Sequence, residues 1–220
     1  MPIVSSDREL SNLLRTWFGE AAGVSVAAIS PHPLFPTEEA FIAGAVPRRR
    51  DEFSTGRWCA RQALEAIGVP PCAIPVGSRR EPLWPPGTTG SITHAGGLCA
   101  AIALRATPEQ GVGIDLLDLD LAGQLLGNAA DLINNQEEES AARALIPPEI
   151  DSRALLFSAK ESVIKAISAR TARFVDFTEI YIKIEGYTFV ALFGGTVSTT
   201  CGWWKASQGF LVTAALTGPR

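Results

Sequence analysis

Residues that bind soft metals or form disulfides are scarce in this chain. It has two histidines and four cysteines among 220 residues, and no two cysteines have Cys-x-x-Cys spacing. A zinc site or a disulfide scaffold is therefore not expected, and four reduced thiols are typical of a cytoplasmic protein. No apolar run approaches the roughly 20 residues that cross a bilayer, and residues 1–8 lack the pattern of a secretory signal. We therefore expect a cytoplasmic protein without a membrane partner.

Strong net charge is also absent, since the value of −4 argues against nucleic acid as a partner. Hydrophobic residues make up 46% of the chain, which suffices for a packed core and excludes general disorder. The charge is unevenly distributed, with +4 over residues 48–80 and −8 over residues 109–161. This distribution suits an enzyme that binds a polyanion and holds a divalent metal, and it equally suits solvated helix faces.

Hydrophobic periodicity predicts helices and strands in both halves of the chain. Apolar residues at helical spacing predict helices over 8–20, 49–67 and 154–169, the last capped by Asp151 or Ser152. Runs of β-forming residues predict strands over 24–29, 98–104, 111–115, 180–184, 187–193 and 210–216. Residues 30–36 are expected to form a loop and residues 121–145 to be partly helical. Helices followed by strands in each half predict an α+β fold class.

The segment Gly111–Asp115 predicts a short strand that ends in a carboxylate. Such a strand end often presents a metal ligand, and its glycines let a backbone approach a ligand closely. It is not a dinucleotide-binding fingerprint, because the third glycine is missing. A turn residue without catalytic function remains the alternative interpretation of Asp115.

The helix predicted over 154–169 carries Glu161 and Lys165 four residues apart, on one face. The same helix contains the apolar residues Leu155, Leu156, Val163, Ile164 and Ile167. The charged pair is either a solvated ion pair or a functional group. In the second case the carboxylate would bind a cation while the ammonium meets phosphate oxygens.

Four arginines and a histidine form a candidate phosphate site. The arginines at 49, 50, 57 and 61 lie on one predicted helix, where positions 50, 57 and 61 fall roughly on one face. Arginine forks match phosphate geometry, although a solvated basic face is the alternative. His94 follows Ser-Ile-Thr and precedes two glycines, which suits a phosphate or an amide, although a lone histidine is more often structural.

The order of these segments resembles the 4′-phosphopantetheinyl transferases, and more closely the Sfp-type group and its enterobactin synthase component D subgroup. Residues 49–61 resemble the first motif of that subgroup, and residues 80–87 with 90–94 resemble the second. The segments Gly111–Asp115 and Phe157–Ala166 follow in the same order. The resemblance extends from about residue 47 to residue 180.

The resemblance implies two pseudo-two-fold-related α/β halves in one chain, with coenzyme A in the cleft between them. We assign residues 1–114 to the half that grips coenzyme A phosphates, and 115–220 to the half with the metal, the catalytic helix and the closing strands. The implied reaction moves the 4′-phosphopantetheine arm of coenzyme A to a serine of an apo acyl or peptidyl carrier protein. It requires Mg²⁺ and releases adenosine 3′,5′-bisphosphate. A monomer is expected, because one chain supplies both halves.

The resemblance also implies roles for individual residues. The metal ligands would be Asp115 and Glu161, with the backbone of Leu116 as a further candidate. The residues implied in binding coenzyme A are Arg49, Arg57, Val76, Gly77, Ser78, Arg79, Thr93, His94, Asp115, Glu161 and Lys165. The residues implied in catalysis are Glu161 as a candidate base, Lys165 at the diphosphate and Lys160 at the leaving group.

Three positions depart from the family pattern. Leu117 stands where the family commonly has a second acid, and we expect water rather than Asp118 to replace that ligand, with weaker Mg²⁺ binding. Val76 stands where relatives often have lysine, and Ile164 replaces an aromatic residue. These departures leave two other hypotheses open: a coenzyme A-binding module without turnover, and a purely structural domain. Apolar residues expected to contribute to carrier-protein contact are Leu125, Leu126 and Ile133.

Overall fold

The computed structural model describes residues 3–107, 109–127, 136–168, 174–193 and 196–218. The chain divides into two compact units, Met1–Pro108 and Glu109–Arg220. The strand Gly111–Asp118 belongs to the second unit because it pairs with the last strand of the chain. The boundary expected between residues 114 and 115 falls inside this strand.

The first unit combines helices with a three-stranded antiparallel sheet of order β1-β3-β2. Its elements are α1 (Ile3–Phe18), β1 (Gly23–Ala28), α2 (Pro36–Ile42), α3 (Pro47–Ala66), β2 (Thr88–Ala95) and β3 (Leu98–Arg105). Helix α3 begins with Pro47, whose missing N–H costs nothing in the first turn, and Gly68 follows its end with a φ of 72°. It packs its buried residues Ala60, Ala63 and Leu64 against β1 and β3.

A close approach of α3 to β1 depends on Gly23. A Cβ at this position would lie 1.8 Å from the Ala63 carbonyl oxygen. No side chain fits there, so glycine sets the distance between helix and sheet.

The second unit contains a five-stranded antiparallel sheet of order β4-β8-β7-β6-β5. Its elements are β4 (Gly111–Asp118), α4 (Ala122–Leu126), α5 (Gln136–Arg143), α6 (Ser152–Ser168), β5 (Ile180–Glu185), β6 (Thr188–Phe193), β7 (Thr196–Ser207) and β8 (Phe210–Thr217). Helix α6 packs against β4 and β8. Its N-terminus is capped by Asp151, whose carboxylate accepts the Arg153 amide at 2.8 Å.

Two glycines of β4 let α6 lie close to the sheet. A Cβ at Gly111 would lie 2.0 Å from the Ala166 carbonyl oxygen, and one at Gly113 would lie 1.8 Å from that of Ser162. The glycines expected to admit a ligand therefore admit a helix instead. This packing fixes the position of α6 along the strand that carries Asp115.

The mixed α+β class is as predicted, and its strands form two sheets. Helix α2 and strands β2 and β7 are additional, and most of the other elements extend a few residues beyond their predicted bounds. Within the part of the chain that the structure describes, no helix combines the length and apolar character needed to cross a membrane.

Candidate active site

Asp115 lies in β4, on the face that α6 covers. Because side chains alternate along a strand, it shares this face with Gly111 and Gly113. Its Oδ1 accepts a hydrogen bond from Lys165 Nζ at 2.6 Å, and its Oδ2 accepts one from Ser158 Oγ at 2.8 Å. Both donors belong to α6, so one helix orients this buried carboxylate.

Lys165 also approaches Glu161. Its Nζ donates to the Ile114 carbonyl oxygen at 3.2 Å and lies 4.0 Å from Glu161 Oε2. Burial raises the pKa of Glu161, the Lys165 ammonium opposes this rise, and the Asp115 carboxylate adds to it. The structure therefore brings three predicted residues together, with one ammonium facing two carboxyl groups.

Lys160 lies elsewhere on α6. Its Nζ donates to Glu138 Oε2 at 2.8 Å, and both side chains are 1% exposed. Glu138 Oε1 accepts the Ile182 amide at 2.6 Å. This buried pair connects α5, α6 and β5, while a role of Lys160 at the leaving group stays a prediction.

In the first unit, α3 and β2 bring Arg49 and His94 together. Arg49 Nη1 lies 3.3 Å from His94 Nε2, and Glu52 Oε2 lies 3.5 Å from Arg49 and 4.0 Å from His94. Both basic side chains are partly exposed. The pair therefore presents two groups that can donate to an anion.

Arg57 lies two turns further along α3 and is buried. Its Nε donates to the Ile74 carbonyl oxygen at 2.8 Å, and its guanidinium lies 4.4 Å from the centroid of the Phe53 ring. Burial lowers the pKa of Arg57 to about 10, with Glu38 opposing the shift, so the group stays positive at neutral pH. Among the described residues, Arg57 forms no ion pair.

Arg50 and Arg61 bind α2 instead of facing Arg57 as one phosphate site. Arg50 pairs with Glu39, and Arg61 pairs with Glu38 at 2.9 Å. The three arginines expected to share one helix face therefore have different partners, because α2 places two carboxylates beside α3.

Each of the two units contains a segment that matches a known protein family. Residues 37–104 match the 4′-phosphopantetheinyl transferase N-terminal domain, and residues 111–211 match the 4′-phosphopantetheinyl transferase superfamily. Over 193 residues the chain is 37% identical to the 4′-phosphopantetheinyl transferase Svp of Streptomyces mobaraensis, covering 82% of this chain and 77% of that protein. The chain belongs to the 4′-phosphopantetheinyl transferase superfamily.

Other known proteins are similar to parts or most of this chain. The 4′-phosphopantetheinyl transferase PptT of Mycobacterium tuberculosis is 35% identical, covering 81% of this chain and 84% of that protein. Enterobactin synthase component D of Salmonella typhi is 37% identical over 130 residues, or 59% of this chain and 53% of that protein. A solved holo-(acyl-carrier-protein) synthase from Bacillus anthracis, in complex with CoA (3′,5′-ADP), aligns over 49% of this chain and 94% of that chain. Its TM-score is 0.40 and its identity 22%.

These comparisons confirm the predicted family and the predicted class of enzyme, a transferase. They do not distinguish the Sfp-type group or the enterobactin synthase component D subgroup within the phosphopantetheinyl transferases.

Magnesium, which the transferase family implies, fits the carboxyl pair of the second unit. Asp115 and Glu161 offer the hard oxygen donors that Mg²⁺ prefers. Their proximity helps to raise the pKa of Glu161, which is the situation that a divalent cation relieves. Within the described parts of the chain, no group of three or more His, Cys, Asp or Glu could hold a metal. A bound Mg²⁺ would therefore keep several water ligands.

Leu117 occupies the position where the transferases commonly have a further acid. It lies on the same strand face as Asp115 and is 4% exposed, within the hydrophobic core of the second unit. Asp118 lies on the opposite face, where its Oδ1 accepts the Asp120 amide at 3.0 Å. The alternation also turns the Leu116 side chain away from Asp115, and its backbone role as a ligand stays a prediction.

The loop of residues 76–79, which the resemblance implies in coenzyme A binding, forms a small hairpin. Val76 bridges to Pro82, and the Gly77 amide donates to the Glu81 carbonyl oxygen at 2.8 Å. The Glu81 carboxylate accepts the Arg79 amide at 2.9 Å. Ser78 and Arg79 are exposed at the tip. This hairpin follows directly after Ile74, the residue that holds Arg57.

Thr93 and His94 are neighbours in β2, so their side chains leave opposite faces of the sheet. Thr93 is buried and His94 is exposed. Only His94 shares the α3 face with Arg49, whereas the resemblance implies that both residues contact coenzyme A. Contact through Thr93 stays a prediction.

Sequence reasoning missed two buried acids, Glu38 and Glu138. Each lies beside acidic residues that are more exposed than it is, and burial of one member of such a run leaves only a weak periodic signal. For Glu138 that signal is Ala142, one turn later and also buried. The predicted carrier contact at Leu125, Leu126 and Ile133 lies outside what the structure describes, which includes neither Ile133 nor the side chains of Leu125 and Leu126.

Proposed function

We propose that the protein transfers the 4′-phosphopantetheine arm of coenzyme A to a serine of an apo acyl or peptidyl carrier protein, in a Mg²⁺-dependent reaction. The observation that carries this proposal is the grouping of Asp115, Glu161 and Lys165 in a chain of the transferase superfamily. The Sfp-type subgroup, the monomeric state and a pathway such as siderophore or polyketide assembly remain predictions of the resemblance, and the cytoplasmic location remains a prediction from the sequence composition.

The second unit supplies groups suited to a diphosphate. Asp115 and Glu161 would hold Mg²⁺, which when bound neutralises negative charge on phosphate oxygens. Lys165 carries an ammonium beside both carboxyl groups, where it would contact the diphosphate and offset charge that develops as the phosphorus–oxygen bond breaks. Ser158 would keep Asp115 in position through its 2.8 Å hydrogen bond.

The reaction needs a group that accepts the proton of the carrier serine. The serine oxygen forms a bond to the phosphorus next to the pantetheine, and the bond from that phosphorus to the bridging oxygen breaks. Adenosine 3′,5′-bisphosphate leaves with the bonding electrons. Glu161 is the candidate base because its carboxyl group lies beside Lys165, the residue that would contact the diphosphate.

The first unit supplies groups suited to the nucleotide phosphates of coenzyme A. Arg57 uses only its Nε for its hydrogen bond within the described residues, so its Nη groups can donate to phosphate. Arg49 and His94 form a second, more exposed pair of donors on the same helix–strand layer. Without these basic groups, the protein would bind coenzyme A weakly.

Intact-protein mass spectrometry tests the proposal. An apo acyl or peptidyl carrier protein is incubated with this protein, coenzyme A and Mg²⁺, beside a matched reaction with the E161A variant. We expect the carrier to gain the mass of one phosphopantetheine arm with the wild type and none with the variant. Coenzyme A binding without mass gain over a panel of carriers would instead support the module without turnover. No binding at all would support the structural domain.

A further inference from the structure

Glu38 is a buried acid that the proposed chemistry does not use. It lies on α2, and its side chain is 0% exposed. Its carboxylate accepts four hydrogen bonds from three partners. Arg61 Nη1 lies 3.0 Å and 2.9 Å from its two oxygens, the Ile74 amide lies 2.8 Å from Oε1, and the Phe35 amide lies 2.9 Å from Oε2.

These bonds connect Glu38 to Arg57 through one residue. Ile74 donates its amide to Glu38 and accepts Arg57 Nε at its carbonyl oxygen, 2.8 Å away. Ile74 is itself fully buried, so its backbone has little freedom to turn. The orientation of the Arg57 guanidinium therefore depends on where Glu38 holds Ile74.

Glu38 is also the counter-charge of a cationic cluster. Arg61 pairs with it directly, and its carboxylate opposes the fall in the Arg57 pKa that burial causes, while Arg61 adds to that fall. Without this carboxylate, two buried guanidinium groups would repel each other. A neutral residue at position 38 would thus disturb both the direction and the charge balance of Arg57.

We propose that Glu38 is a positioning residue for coenzyme A recognition, which acts by fixing Ile74 and through it the Arg57 guanidinium. The inference rests on the proposed function, in which Arg57 binds a coenzyme A phosphate. Because the Val76–Arg79 hairpin follows Ile74, the same contact also anchors the start of that hairpin.

A double-mutant cycle on coenzyme A binding tests this inference. The Kd for coenzyme A is measured by calorimetry for wild type, E38Q, R57A and the double variant, below the melting temperature of each. We expect E38Q to weaken binding about tenfold, as for loss of a hydrogen bond to a charged group, and to add less than about twofold once Arg57 is absent. The E39Q variant is the matched control, since Glu39 is the exposed neighbour that pairs with Arg50.

The outcomes separate this inference from the proposed function. An equal effect of E38Q with and without Arg57 would show that Glu38 only stabilises the fold, and would overturn the inference. Unchanged binding in R57A would overturn the inference and the assignment of Arg57 together, while transfer activity of the wild type would still support the proposed function. If E38Q does not fold, E38D replaces it, because it keeps the charge and shortens the reach. The cycle then has the same expected and contradictory results.

Discussion

The two units contain the same kind of buried contact, but their candidate sites carry charge of opposite sign. In each, a glutamate from a short helix binds a basic residue of the long helix and a backbone amide: Glu38 with Arg61 and Ile74, Glu138 with Lys160 and Ile182. In each, strand glycines let the long helix approach the sheet.

The difference lies in a second basic residue of each long helix, about one turn from the first. Arg57 meets a backbone carbonyl, so the first unit keeps an excess of positive charge at its site. Lys165 meets two carboxyl groups, so the second unit keeps an excess of negative charge. The first site is thus suited to phosphates and the second to a cation, and the partners of Arg57 and Lys165 account for the difference.

The largest effect is expected from breaking the buried pair of the second unit. The K160M variant leaves the Glu138 carboxylate buried without its cation, so we expect the free energy of unfolding to fall by about 3–5 kcal/mol. Urea denaturation measures the change. R143M, which removes an exposed i,i+4 pair with Glu139, should change stability by less than about 0.5 kcal/mol. Similar losses in both variants would contradict a structural role of the pair.

An additional carboxylate in the second unit should strengthen its binding of Mg²⁺. In the L117E variant a carboxylate joins the strand face of Asp115, so we expect the Mg²⁺ concentration for half-maximal transfer to fall about tenfold, or about 1.4 kcal/mol. L117Q introduces a similar polar group without charge and should not shift the Mg²⁺ requirement. An unchanged Mg²⁺ requirement in L117E would contradict the missing-ligand interpretation of Leu117.

The smallest effect concerns pH. Because the folded-state pKa of Glu161 is raised above its ordinary value of 4.5, the folded protein without Mg²⁺ retains this proton where the unfolded chain releases it. Its stability should therefore fall as the pH rises from about 4.5 through the raised pKa, by at most about 1.4 kcal/mol per pH unit. Urea denaturation of wild type and E161Q between pH 4 and 7 measures the difference. A constant difference across this range would contradict the raised pKa.

Within the trio of the second unit, the Glu161–Lys165 pair was predictable, because a spacing of four residues places both on one helix face. Asp115 lies 50 residues from Lys165 in the chain, and only the family resemblance placed it with that pair. Glu38 and Glu138 were not predictable, because their partners lie 23 and 22 residues away in the chain. The local sequence separates them only weakly from their more exposed acidic neighbours.

Two of the missed elements, α2 and β7, have equally physical causes. Pro36 reads as part of a proline-rich loop, yet it occupies the first turn of α2, where a missing N–H costs nothing. Strand β7 is interrupted in sequence by Gly202, whose absent side chain makes room for the Phe189 ring, 2.0 Å from where a Cβ would lie. Both signals depend on a partner elsewhere in the fold.

The close contact between β4 and α6, and with it the geometry of the site, depends on Gly113. The helix carbonyl that Gly113 accommodates belongs to Ser162, the residue directly after Glu161. A single methyl group at position 113 would act as a wedge under α6 and push Glu161 away from Asp115. The distance between the two carboxyl groups thus depends on an uncharged residue, Gly113, which has a hydrogen atom in place of a side chain.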